Sequence, residues 1–158
     1  MLFNSNYAGN NKNLPGVEVA RCLLRSSHTG LDLSANCIRD AGAEALAAAV
    51  RCNKNLTALV LRSNDIGPHG GAALLNAIAR NHCITMVDLS GISGVNRNHI
   101  GTKGCRALCE VLHSNPCLVS LNVDENGFGP IGVEQFAPGV LCAACCCDCV
   151  NAHVWISH

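Results

Sequence analysis

Leu56-Thr57-Ala58-Leu59-Val60-Leu61-Arg62-Ser63-Asn64 is the stretch that decides the fold. Apolar residues stand at its first, fourth and sixth places, and an asparagine closes it. The same pattern returns as Leu118-Val119-Ser120-Leu121-Asn122-Val123-Asp124-Glu125-Asn126. Leu59 and Leu61 alternate with polar or smaller neighbours, which marks a short strand with one face buried. Working outward, Leu31, Leu59 and Val87 stand 28 residues apart, and Leu121 follows 34 residues after Val87. Asn36, Asn64, Asn98 and Asn126 step by 28, 34 and 28, as do Gly42, Gly70, Gly104 and Gly132, which places the longer step between the third strand and its asparagine. Self-similarity with a period of about 20 to 50 residues is the signature of stacked repeats.

Each unit changes period after its strand. Ala43, Leu46, Ala47 and Val50 recur at steps of three or four, one face of a helix. Leu74 and Ile78, then Leu108 and Leu112, fall in register with Leu46 and Val50. Gly42 and its equivalents, near the helix start, permit close backbone packing. Asn53, Asn81 and Asn115 close three of the units. The asparagine after each strand has a physical task. A tight turn there leaves backbone groups inside the stack, where they need partners. A side-chain amide supplies both donors and an acceptor. The expectation is a ladder of Asn36, Asn64, Asn98 and Asn126.

The segments LDLSANCIRDAGAEALAAAV, LVLRSNDIGPHGGAALLNAI and LNVDENGFGPIGVEQF resemble the ribonuclease-inhibitor-type leucine-rich repeats. That subfamily includes ribonuclease inhibitor, C-terminal regions of NOD-like receptors and Ran GTPase-activating proteins. The resemblance covers about residues 28–141. It implies an α/β solenoid, a short right-handed arc of strand–helix units with a parallel concave sheet and convex helices. The matching positions are structural, so they define the fold more closely than the function.

The expected organisation is a flexible N-terminus at 1–13, a capping helix or degenerate half-repeat at 14–27, about four repeats at 28–141, and a Cys-rich tail at 142–158. Pro15 opens the capping segment, and Val19, Leu23 and Leu24 follow along one side. His28 stands where the pattern asks for leucine. The third unit carries six extra residues within 90–97, rich in Gly, Ser and Asn, and reads as a loop. Such a loop either carries function or is a tolerated insertion. In the fourth unit Pro138-Gly139 falls inside the helical register, where proline removes a donor and clashes with the preceding turn. Past Val140 the pattern ends, and a C-terminal cap is not expected.

The composition narrows the function classes. Eleven basic and eleven acidic residues cancel, which disfavours a nucleic-acid partner. No apolar run is long enough to span a bilayer, and Met1 to Asn13 lacks the signature of a secretory signal. Twelve cysteines then suit a reducing compartment, and the expected location is cytoplasmic. In the tail, Cys142, Cys145, Cys146, Cys147 and Cys149 crowd together without a second well-spaced pair, so neither a metal nor a cofactor is expected. S-acylation of that cluster is a second alternative, and the expectation is an unstructured, reactive tail without a function of its own. Cys105, Cys109, Cys83 and Cys117 sit in the repeat register and read as core filling. The scattered histidines show no ligand spacing, and no nucleophile–base pair or phosphate loop stands out, so an enzyme is not expected.

What remains is the concave face. Residues between the buried apolar positions point into it: Asp32 and Ser34, Val60 and Arg62, Asp88 and Ser90, Asn122 and Asp124. One arginine against three aspartates makes this face mildly acidic, suited to a protein partner bearing Lys or Arg. Arg97, on the insertion, joins the candidates. The expected function is a protein–protein interaction module. Alternatives are a GTPase regulator, by the Ran GTPase-activating resemblance, or a piece of a larger receptor or scaffold. That activity would need precise placement around the nucleotide, and although Arg39, Arg62 and Arg97 lie on or near strand-to-helix loops, none matches a functional motif of that family.

Overall fold

The computed structural model describes residues 2–4, 20, 22, 27–91, 96–130, 132, 134 and 153–155. Six short strands form one parallel sheet in chain order: β1 (Leu2–Asn4), β2 (Gly30–Asp32), β3 (Ala58–Val60), β4 (Met86–Asp88), β5 (Ser120–Asn122) and β6 (His153–Trp155). Between the central strands run three helices: α1 (Arg39–Cys52), α2 (Pro68–Ala79) and α3 (Gly101–Ser114). The register follows the sequence repeat, with Leu31 beside Leu59, Leu59 beside Val87, and Val87 beside Leu121. Parallel strands joined through helices are the α/β arrangement that the period change required.

The core lies between sheet and helices. Leu31, Leu59, Val87 and Leu121 are buried, as are Leu33, Leu61, Leu89 and Val123 two residues on. Ala43, Leu46, Ala47 and Val50 face them from α1, with equivalent residues from α2 and α3. With few aromatics available, Phe128 is the large ring in the described core. Leu59 and Leu61 are each fully buried, about 2–3 kcal/mol of transfer free energy per side chain. Helices approach closely because Gly70 has no side chain. A Cβ there would lie 2.7 Å from the Asp40 Cα and 2.8 Å from the Ala43 Cβ.

Two strands fall outside the repeats expected from sequence. Leu2–Asn4 lies in the stretch expected to be flexible, yet it pairs with Gly30–Asp32, and Phe3 meets Leu31 at the same 28-residue offset. His153–Trp155 lies in the tail and pairs with β5, so that Val154 stands beside Leu121. The physical reason is common to both ends. The outer strands β2 and β5 would otherwise present unpaired N–H and C=O groups. The expectation of an uncapped C-terminal end is corrected to that extent. Of the expected capping helix at 14–27, Ala20 and Cys22 are described and helical, and Ala20 is buried. Pro138-Gly139 and the tail cysteines lie outside the described residues, as do 92–95 of the insertion.

Candidate functional site, the concave face and its turn edge

The concave face is built from the strand positions that do not enter the core. In β2, Asp32 is half-buried and its Oδ1 accepts from the Ser34 amide (3.0 Å) and the Ser34 hydroxyl (2.7 Å). In β4, Asp88 repeats the arrangement with Ser90, at 3.0 and 2.6 Å. In β5, Asn122 takes that place and accepts from the Asp124 amide at 3.1 Å. Val60 breaks the polar column in β3, and Arg62 follows it. The Arg62 guanidinium reaches across to the next repeat, where Nε donates to Asp88 Oδ2 at 2.6 Å. The hydrogen bond to Asp88 raises the Arg62 pKa above its ordinary value; burial opposes this, and the charges of Asp88 and Asp32 add to it.

This pairing changes the electrostatics read from sequence. The Asp88 side chain is 8% exposed and already holds a cation, so it is not an open acceptor. Asp32 and Asp124 remain half-exposed, and neither forms an ion pair with a described residue. Ser90 is buried in its bond to Asp88 and presents little to solvent. Thus Asp32, Ser34, Val60, Arg62, Asn122 and Asp124 share one accessible face, while Asp88 and Ser90 support it from beneath. Arg97 stands apart, on the turn edge, paired with Glu125 at 3.0 Å. Arg39 pairs with Asp65 on that edge at 3.3 Å. Each of the three arginines therefore reaches a carboxylate in the following repeat.

The asparagine ladder is present. The Asn36 amide donates to Asn64 Oδ1, and the Asn64 amide to Asn98 Oδ1, both at 2.9 Å. Asn64 Nδ2 donates to the Leu33 and Arg62 carbonyls, and Asn98 Nδ2 to those of Leu61 and Leu89. Asn126 Nδ2 donates to Leu89, Val123 and Asp124. The remaining rung fails. Among the described residues, Asn126 Oδ1 is the buried side-chain atom that accepts no hydrogen bond.

Three features escaped the sequence reading. Asn53, Asn81 and Asn115 form a second ladder at the opposite edge. Asn81 Nδ2 donates to the Val50 and Asn53 carbonyls, and Asn115 Nδ2 to those of Ile78 and Asn81. Their register was visible, but not their task. Thr57 and Thr85 hydroxyls donate to the Thr29 and Thr57 carbonyls at 2.9 and 3.1 Å, a column legible as Thr29, Thr57, Thr85. Asp40 Oδ1 accepts the Gly67 and Gly70 amides at 2.7 and 2.9 Å, capping α2 from the preceding helix. Here the signal was an aspartate one repeat before a helix start with no cap of its own.

No group of three or more metal-capable side chains gathers among the described residues. Burial pushes the Cys105 thiol up, reinforced by Cys109, and burial likewise raises the Cys109 thiol. Such thiols are held protonated and are poor nucleophiles. No helix among the described residues is long and apolar enough to cross a membrane.

Stacked strand–helix units with an asparagine rung define a leucine-rich-repeat solenoid. A leucine-rich-repeat family model matches residues 29–47, 52–75 and 114–137, passing over the unit that carries the insertion. Pig (Sus scrofa) ribonuclease inhibitor is 29% identical over 107 residues, covering 66% of this chain and 22% of that protein. The cattle (Bos taurus) NACHT, LRR and PYD domains-containing protein 3 is 31% identical over 109 residues, covering 69% of this chain and 10% of that protein. The chain thus spans about a fifth or less of the relatives it matches. The solved structure of leiomodin-1 actin-binding site 2 superposes with a TM-score of 0.68 at 20% identity, covering 90% of this chain and 80% of that one. The chain is a leucine-rich-repeat solenoid whose repeats are similar in sequence to those of ribonuclease-inhibitor-like proteins.

Proposed function

We propose that the concave sheet face binds a protein partner through a surface rich in Lys or Arg. The observation that carries this reading is the separation of charge. On the strand side, Asp32 and Asp124 form no ion pair with a described residue, while Arg62, Arg39 and Arg97 are already held by carboxylates. On the helix side, Arg51, Lys54, Arg80, Lys103 and Arg106 are exposed, form no ion pair with a described residue, and outnumber Glu44, Glu110 and Glu134. A neutral chain therefore has an acidic inner face and a basic outer one, which orients a basic partner toward the sheet. A relative named for inhibiting ribonuclease supports binding as the mode of action. A role in GTPase regulation has less support, since the three loop arginines are engaged within the fold. The cytoplasm, where twelve cysteines stay reduced, is the proposed location.

The test is comparative capture. Immobilised wild-type chain, the Asp32→Lys/Asp124→Lys double variant and a Glu44→Lys control are exposed to one cell lysate, and retained proteins are quantified. The reading expects partners held by wild type and control, lost with the double variant, and released by salt. Retention that ignores the double variant refutes it.

A further inference from the structure

We propose that the junction between the third and fourth repeats is a hinge built into the solenoid, loosened by the six-residue insertion. The inference goes beyond the binding reading and does not depend on it. In the first, second and fourth repeats the residue just before the ladder asparagine has a positive φ: Ala35 (58°), Ser63 (51°) and Glu125 (58°). At Ala35 and Ser63 this geometry turns the asparagine amide onto the next rung. In the third repeat the positive φ falls instead on Asn96 (54°), two places before Asn98. The insertion has moved the turn by one position, and the rung from Asn98 to Asn126 Oδ1 is not made.

Other columns stop at the same junction. The threonine column ends because Val119, 51% exposed, stands where Thr57 and Thr85 stood. The second asparagine ladder has no next member in sequence, since Ala143 lies 28 residues after Asn115. What crosses the junction is the backbone ladder, the apolar core, the Asn126 Nδ2 bond to the Leu89 carbonyl and the exposed Arg97–Glu125 pair. The strand β5 is paired on both sides, so this is an internal joint rather than the end of the sheet. A junction that keeps its core and one asparagine bond but loses the Asn126 Oδ1 rung and the threonine rung opens more readily than its neighbours. Asp32 and Asp124 lie on opposite sides of it, so hinge motion changes their separation across the concave face.

Native-state hydrogen exchange on the full chain tests this, because the three junctions offer equivalent amides. Leu33, Leu61 and Leu89 donate to Val60, Asp88 and Asn122, and Thr57, Thr85 and Val119 donate to Thr29, Thr57 and Thr85. The hinge predicts that Leu89, Gly91, Val119 and Ser120 exchange about tenfold faster than their counterparts, about 1.4 kcal/mol of easier opening. Deleting 92–97 places Gly91 directly before Asn98, and glycine takes a positive φ freely. The deletion should slow the four amides to the rate of their counterparts. The Val119→Thr variant leaves the insertion intact and should slow Val119 and Ser120 alone. Equal exchange at all three junctions in wild type overturns the proposal. So does exchange that neither variant slows, which would mark ordinary fraying near a chain end, or failure of the deletion variant to fold, which would make the insertion a support of the junction.

Discussion

Across the first junction Leu31 stacks beside Leu59, and across the third Val87 stacks beside Leu121, all four buried to the same degree. The first junction adds the Asn36–Asn64 rung, the Thr57 hydroxyl and the Asp40 cap. Among the described residues the third has no counterpart of these, and keeps of its asparagine rung the Asn126 Nδ2 bond to the Leu89 carbonyl. The difference teaches that apolar stacking sets the repeat and tolerates an insertion, because six residues between strand and helix leave both registers intact. Polar rungs depend on individual peptide orientations and fail when a turn shifts by one position. The largest expected effect tests the shared part. Leu59→Ala and Leu121→Ala should each cost about 3 kcal/mol of unfolding free energy by denaturant titration. A much smaller loss at Leu121 would show that the core, too, is weaker at the third junction, and the contrast between core and rungs would break.

The next effect addresses the rungs themselves. Asn64→Ala removes a buried acceptor used by the Asn36 amide and the donors used by Leu33 and Arg62. The expected cost is about 2–3 kcal/mol, because each abandoned buried group loses its partner. Asn126→Ala should cost about 1 kcal/mol less, since its Oδ1 is already without a donor. Equal losses in thermal or denaturant unfolding would mean that the broken rung has no energetic consequence. A similar contrast holds for the arginines. Arg62→Ala strands the nearly buried Asp88 and should cost about 1–3 kcal/mol. Arg39→Ala removes an exposed pair and should stay within about 0.5 kcal/mol of wild type.

Much of this was legible in the sequence. The 28-residue register of Leu, Asn and Gly predicted the strands, the helices, the buried faces and the first ladder, because each repeated position does the same physical work. The candidate face was legible as a set of positions, but its charge was not. Whether Asp88 is open or closed depends on Arg62 reaching it from the neighbouring repeat, a contact 26 residues apart that periodicity does not encode. The end strands at Leu2–Asn4 and His153–Trp155 were missed for a related reason. They satisfy the backbone of β2 and β5, and backbone pairing asks little of side-chain identity. The failed rung at Asn126 was also hidden, since Asn98 and Asn126 keep their places and only the φ of the residues before Asn98 has moved.

The smallest expected effect comes from two thiols on the inner side of α3, beside the third junction. Cys105 is fully buried and Cys109 lies four residues on, partly buried against the same core. Burial raises both thiol pKa values above those of the unfolded chain. The folded state therefore holds these protons more tightly than the unfolded state does. Their contribution is fully present below the ordinary thiol range, near about 8.5, and is lost as pH rises through the raised values. Stability measured by denaturant titration should be flat from neutral pH to about 8 and then decline, and Cys105→Ala/Cys109→Ala should reduce the decline. Because α3 packs its buried face between the second junction and the third, the same titration followed by hydrogen exchange sharpens the comparison. If the third junction is the looser one, its amides should respond to alkaline pH before those of the first. A uniform response would place the two thiols in a single cooperative unit that includes all the repeats.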